Sequence, residues 1–297
     1  MYEEIRNGLR GINAINVTPF HEDDSIDYEA LGRNLDDLID RGIEMIYPCG
    51  NTGEYYSLTL EEARAVTAFA VRHIAGRAKV MVGVGHDAHT AAELAAHAER
   101  TGADGLMLHQ PVHPIQSEAG MLAYYRQVAA ATKLPIVLYV RHESVSADML
   151  KQAAAVPNIV GVKYAVNHLP AFARAVKLIG DELVWVCGTA EMWAPFFFAA
   201  GAVGFTSGMV NVDAARSFAM LDALRGGRYA DAMGIWDELR PFEEMRERNR
   251  SADNVSVVKE AMAQLGFCSS IVRPPIAQLS EADRIQVGRV LRSWELL

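Results

Sequence analysis

Short apolar runs alternate with amphipathic ones eight times in succession, and that rhythm leaves few folds open to the chain. The apolar runs fall at residues 12–17, 44–48, 79–84, 105–108, 135–140, 159–164, 183–187 and 203–207. Such lengths suit strands and are too short for helices. Between the runs, apolar residues recur at helical spacing. Tyr28, Leu31, Leu35, Leu38 and Ile39 share one face behind Asp27, a ready N-cap. Thr59 and Glu62 have the spacing of a capping box. Further helices are predicted near 90–100, 117–131, 146–155, 169–179, up to about 200, and over 212–224. Near-continuous apolar strands separated by helices belong to a parallel sheet covered on both faces. Eight such units in order close into a (β/α)8 barrel. An open doubly wound sheet usually carries a Gly-rich turn after its first strand, and Thr18-Pro19-Phe20 offers none. Residues 1–226 are therefore read as the barrel. Residues 227–297 are read as an extension of about three helices packed on it, to cover the active site or to build an oligomer.

Composition acts mainly as a veto. With 51% hydrophobic and 22% charged residues in 297, the chain can bury a large core and is not disordered by composition. A net charge of -9 argues against a nucleic-acid partner. Arg246, Arg248 and Arg250 are interleaved with Glu243, Glu244 and Glu247 and read as a solvated helix end. Cys49, Cys187 and Cys268 are odd in number and lack a CxxC spacing, which suits free thiols in a reducing compartment. The N-terminus has no apolar signal region, and the longest apolar run, 192–205, is broken by Pro195 and too short for a membrane span. A cytoplasmic protein with no membrane partner is expected.

In a barrel, chemistry sits at the carboxyl ends of the strands. After the second strand comes Gly50-Asn51-Thr52-Gly53-Glu54. It reads either as a plain glycine-rich turn or as a nest of N–H groups for a carboxylate or phosphate. Tyr139 ends the fifth strand and Lys163 the sixth. A lysine closing an apolar strand either reaches solvent, or pairs with a carboxylate, or is desolvated into a neutral nucleophile. Tyr139, one strand away, is placed to relay protons or simply to pack. Metal pairs from His86 and His89, or His109 and His113, lack a third ligand, so no metal is expected. Gly83-Val84-Gly85 lacks the rest of a dinucleotide fingerprint.

Taken together and in order, these motifs make the chain similar to the N-acetylneuraminate lyase and dihydrodipicolinate synthase superfamily over nearly its whole length. Asn16-Val17-Thr18-Pro19-Phe20 resembles the family's first-strand signature. Gly50-Asn51-Thr52-Gly53-Glu54 resembles its Gly-Thr-Thr-Gly-Glu turn, with Asn51 replacing the first Thr. Tyr139 and Lys163 match its strand-five tyrosine and Schiff-base lysine. Val257-Val258-Lys259 and Val272-Arg273-Pro274-Pro275 resemble its closing helices.

The resemblance implies that Lys163 forms an imine with a 2-keto acid, that Tyr139 shuttles protons, and that Thr52, with the backbone of Asn51 and Thr52, holds the substrate carboxylate. It implies no cofactor beyond the lysine itself, and a homo-oligomer, dimer or tetramer. Two departures matter. Dihydrodipicolinate synthases carry a tyrosine after strand four, and 110–114 has none. Their substrate-gripping arginine lies farther beyond the strand-five tyrosine than Arg141 does here. The Tyr-x-Arg pattern resembles sugar-acid dehydratases such as 5-dehydro-4-deoxyglucarate dehydratase, in which case Arg141 meets a far carboxylate; otherwise it pairs with Glu143. Thr18, Gly188, Thr189, Ser207, Gly208 and Asn211 are further substrate-binding candidates by position. The expected function is dehydration or retro-aldol cleavage of a 2-keto-3-deoxy sugar acid. The alternatives are 4-hydroxy-tetrahydrodipicolinate synthesis from pyruvate and aspartate semialdehyde, and a barrel that only binds a keto acid.

Overall fold

The eight apolar runs pair in chain order. A computed structural model, describing residues 2–297, aligns β1 (Ile12–Ala14), β2 (Met45–Ile46), β3 (Lys79–Val84), β4 (Gly105–Leu108), β5 (Ile136–Val140), β6 (Ile159–Tyr164), β7 (Val184–Cys187) and β8 (Gly204–Ser207) in parallel, with β8 closing on β1. A short helix, α1 (Glu3–Gly8), precedes β1. Each strand is then followed by a helix: α2 (Tyr28–Asp40), α3 (Leu60–Ile74), α4 (Ala88–Thr101), α5 (Glu118–Ala130), α6 (Ala147–Ala154), α7 (Leu169–Ile179), α8 (Ala190–Ala199) and α9 (Ala214–Arg225). The caps explain the starts: Asp27 accepts from the Ala30 N–H, and Thr59 and Glu62 complete their box.

Two strands are shorter than the apolar runs suggest. Past Ala14 and Ile46 the backbone leaves the regular ladder to build loops, although the Ile15 N–H still reaches the Ser207 carbonyl at 2.8 Å and the Tyr47 N–H that of Ala14 at 2.8 Å. Pro195 does not break α8, which continues to Ala199. Buried Ala194 and Phe197 fasten that helix to the core, and the Trp236 indole N–H donates to the Met192 carbonyl at 2.8 Å.

Strand alternation sends one set of side chains against the helices and the other into the barrel. Met45, Tyr47, Met81, Met107, Val137 and Val186 fill the interior together with Ile5 of α1 and Leu9 just after it. The register of β6 decides where its lysine points. Ile136 pairs with Ile159 but Val137 pairs with Gly161, so β6 bulges at Val160. Beyond the bulge Val162 and Tyr164 face the outer core, which leaves Gly161 and Lys163 inward, and Lys163 is the direct partner of Tyr139.

Three helices follow the barrel: α10 (Tyr229–Ser251), α11 (Asn254–Gln264) and α12 (Glu281–Ser293). The first lies along α8 and α9, and the other two fold back on it. Near the end of α10 the backbone turns left-handed at Asn249, Arg250 and Ser251, with φ of 53°, 60° and 65°. Such a run in residues with side chains is strained. Among the described residues no helix is long and apolar enough to cross a membrane.

The extension is bolted to the turn after β2. Lys259 forms a fully buried ion pair with Glu54 and donates to the Ile271 carbonyl at 2.7 Å. The Arg273 N–H donates to the other Glu54 oxygen at 3.0 Å, and its guanidinium meets Glu62 at 2.7 Å, which holds the Glu62 carboxyl down at about 2. Both cations lie over the Phe20 ring, 4.1 and 4.2 Å from its centre. The sequence motifs around Phe20, Glu54, Lys259 and Arg273 thus meet at one place.

Candidate active site

The carboxyl ends of the strands surround a cavity of about 210 Å³, lined among others by Asn51, Thr52, Tyr139, Arg141, Lys163, Gly188, Thr189 and Gly208. That volume suits a small acid rather than a large ligand. Lys163 stands at its base. Its Nζ lies 4.0 Å from the centre of the Tyr139 ring, and its side chain is buried. Burial, aided by the nearby Arg141 charge, pulls the amine down to about 7. Lys163 forms no ion pair with a carboxylate among the described residues, so the ion-paired alternative for this lysine does not apply. Burial raises the Tyr139 phenol, and the Arg141 guanidinium, 5.6 Å from that ring, opposes the rise. Arg141 itself sits at the rim and forms no ion pair with Glu143 or any other described carboxylate; its backbone N–H is tied to Gln110 at 3.3 Å.

The loops hold their shape by local means. Gly208 has no side chain because a Cβ there would stand 2.8 Å from Arg246 Nη2 and 2.9 Å from Thr52 Oγ1. A Cβ on Gly188 would likewise stand 2.9 Å from the Tyr164 backbone. The Thr189 hydroxyl donates to Asn167 at 3.0 Å. Cys49, Glu54, His86 and Ala190 all carry positive φ, so backbone strain gathers on these loops.

Three candidates fall outside the cavity. Ser207 follows inward-facing Thr206 on β8 and therefore points to the outer layer, where its Oγ accepts from the Val210 N–H at 3.0 Å. Thr206 takes the place in the cavity wall. Thr18 is buried, and its hydroxyl donates to the Gly53 carbonyl at 2.7 Å, bracing the β2 turn from behind. The Asn211 amide donates to the carbonyls of Ile15 and Gly208 at 2.9 and 2.7 Å, tying β8 to β1. All three support the wall without forming it.

The extension supplies what the sequence reading missed. Glu243, Arg246, Glu247, Arg250, Ser251 and Asn254 line the same cavity. Arg246 is not solvated but buried, paired with Glu243 and bonded to Asn254 Oδ1 at 3.3 Å. The signal was in the spacing: Leu239, Phe242 and Met245 mark the buried face of α10, and Glu243 and Arg246 fall on it. The histidines disperse. His109 stacks on Tyr55 with ring centres 4.4 Å apart and lies 3.0 Å from the Cys49 carbonyl. His89 pairs with Glu93, and His113 with the Ile115 carbonyl. Burial drives the His109 ring down to about 3.

A closed (β/α)8 barrel with a desolvated, unpaired amine against a tyrosine at the ends of neighbouring strands defines a lyase of the lysine Schiff-base type. The chain belongs to the dihydrodipicolinate synthetase family, whose model matches residues 8–293. It is 33% identical over 290 residues to a 4-hydroxy-tetrahydrodipicolinate synthase of Methanoculleus marisnigri, covering 95% of this chain and 98% of that one. It is 31% identical over 287 residues to a protein of Bradyrhizobium diazoefficiens named as a probable 5-dehydro-4-deoxyglucarate dehydratase, covering 95% and 91%. The crystal structure of dihydrodipicolinate synthase from Oceanobacillus iheyensis superposes with a TM-score of 0.96 at 40% identity, covering 100% of both chains.

Proposed function

We propose that this lyase acts on a 2-keto-3-deoxy sugar acid, by dehydration or by retro-aldol cleavage to pyruvate. The observation that carries the reading is the Lys163 amine, buried, without a carboxylate partner and 4.0 Å from the Tyr139 ring centre, in one cavity with Thr52 and Arg141. A neutral amine attacks the keto carbon; loss of water gives an imine that stabilises negative charge on the next carbon. Tyr139 shuttles protons in those steps. Thr52 and Asn51 receive the carboxylate beside the ketone, and Arg141, free of any acidic partner, receives the far one. Gly188, Thr189 and Gly208 bound the hydroxylated chain. The protein is proposed to work in the cytoplasm as a homo-oligomer, a dimer or tetramer.

A second reading, 4-hydroxy-tetrahydrodipicolinate synthesis, is favoured by the similarity to the Oceanobacillus iheyensis and Methanoculleus marisnigri proteins. The absence of a tyrosine in 110–114 weighs against it. A coupled assay with pyruvate and aspartate semialdehyde separates the two. The direct test of the imine is borohydride trapping with pyruvate or a longer 2-keto acid, followed by peptide mass analysis. A reduced adduct on Lys163 is expected. A folded protein that traps none of them, or a Lys163→Ala variant with full turnover, would sink the proposal.

A further inference from the structure

One wall of the cavity comes from outside the barrel, and that wall carries acid. Glu243 and Arg246 sit one turn apart on α10, each with a side chain 3% exposed, hydrogen-bonded to each other. Arg246 is fixed on its other side by Asn254 and passes beside Gly208 toward Thr52. One Glu243 oxygen takes the arginine; the other has no partner among the described residues, and the residue borders the cavity that holds Lys163. Behind it, Glu191 on α8 is fully buried. One Glu191 oxygen accepts from the Ser217 hydroxyl at 2.6 Å, and the other is sealed from solvent. Among the described residues only Glu243 pairs with the Arg246 guanidinium, and the neighbouring charge of buried Glu191 opposes ionising both carboxyls, a setting in which one of them keeps a proton. Burial raises both carboxyls, and Glu243 is the one that reaches the cavity.

We propose that Glu243 is the general acid that protonates the hydroxyl leaving the substrate, with Arg246 holding its carboxyl in place. The proposal rests on the imine reading above and narrows it to dehydration. Carbons are numbered from the carboxyl next to the ketone. In the imine on Lys163 the C3–H bond breaks, its proton goes to water, and the electron pair forms an enamine. That pair then moves into the C3–C4 bond as the C4–O bond breaks. The oxygen takes the Glu243 proton and departs as water, and Glu243 regains a proton from solvent. The substrate loses one water and no oxidant or reductant is needed.

The charged and titratable groups facing Glu243 are Arg246 and Glu247 on α10, Glu191 on α8, Lys163 on β6, and Arg141 and Arg250 on the rim. The test uses the full-length protein and 5-dehydro-4-deoxyglucarate, with water loss read by product mass. Glu243→Gln is expected to lower kcat by about 100-fold or more and to remove the alkaline fall of the kcat–pH profile. Borohydride-trapped pyruvate on Lys163 is expected to drop far less, by under about threefold, because imine formation precedes the step. Glu243→Asp, which keeps an acid, should recover at least about tenfold over the Gln variant. Full turnover in Glu243→Gln overturns the proposal, as does a loss of adduct in proportion to the loss of turnover, the mark of a purely structural role. Release of pyruvate in place of water loss by the wild-type protein overturns it too. A wild-type protein that forms no adduct with any keto acid overturns the imine reading itself, a distinct outcome.

Discussion

Lys163 spends its life where a cation is unwelcome. Its amine titrates near 7 in the folded protein against an ordinary 10.5, because burial and Arg141 both oppose the charge. Between those two pH values the unfolded chain binds the extra proton, so stability rises with pH across that window, by about 1.4 kcal/mol per pH unit from this group alone. Lys163→Met is therefore expected to raise the urea midpoint at neutral pH and to flatten the climb in stability between about pH 7 and 10, as followed by denaturation at several pH values. The same shift sets the chemistry: the rate of adduct trapping on the wild type should rise through a midpoint near 7. Arg141→Ala removes a charge that depresses the amine, so that midpoint should move upward. It should also raise KM for a keto acid with a second carboxylate by roughly 10- to 100-fold, the worth of a charged hydrogen bond, in steady-state assays. A KM that stays put would remove Arg141 from the substrate.

At the scale of the element, the buried pair of Lys259 and Glu54 joins α11 to the turn that carries Thr52. Removing one partner leaves the other charge buried alone. Lys259→Met is expected to cost about 3–5 kcal/mol by urea denaturation, and the double variant with Glu54→Gln less than the sum. Additive losses would mean the two residues do not act as a pair. The elements themselves were largely legible, because caps and apolar periodicity are local facts. What was not legible was parity. A strand whose end is uncertain by one residue exchanges its inward and outward sides, so place in the chain makes Ser207 a substrate-binding candidate while Thr206 is the residue that faces the cavity. Lys163 was found by its place at a strand end, but the bulge at Val160 that turns it inward has no signature in the sequence. The burial of Arg246 is hidden in the sequence because mixed charge looks solvated unless it is set against the apolar stripe of its helix.

For the whole molecule, barrel and extension make one site. Deleting residues 227–297 strips the cavity of Glu243, Arg246, Glu247 and Arg250 and leaves Glu54 without Lys259 and Arg273. The shortened chain is expected to be insoluble or to lack turnover, measured by soluble yield and assay; a soluble, fully active barrel would refute this dependence. A homo-oligomer is expected in analytical ultracentrifugation, and a monomer at micromolar concentration would remove that expectation. The anchor around Phe20 also bears on the timing of synthesis. Phe20 and Glu54 emerge from the ribosome well before Lys259 and Arg273, which follow Glu54 by 205 and 219 residues. A nascent chain that has released only its barrel still lacks the partners that lock the carboxylate-binding turn and the wall that bears Glu243. Catalysis therefore waits until Lys259 and Arg273 have been translated, and a chain that stalls short of Arg273 is released without a finished site.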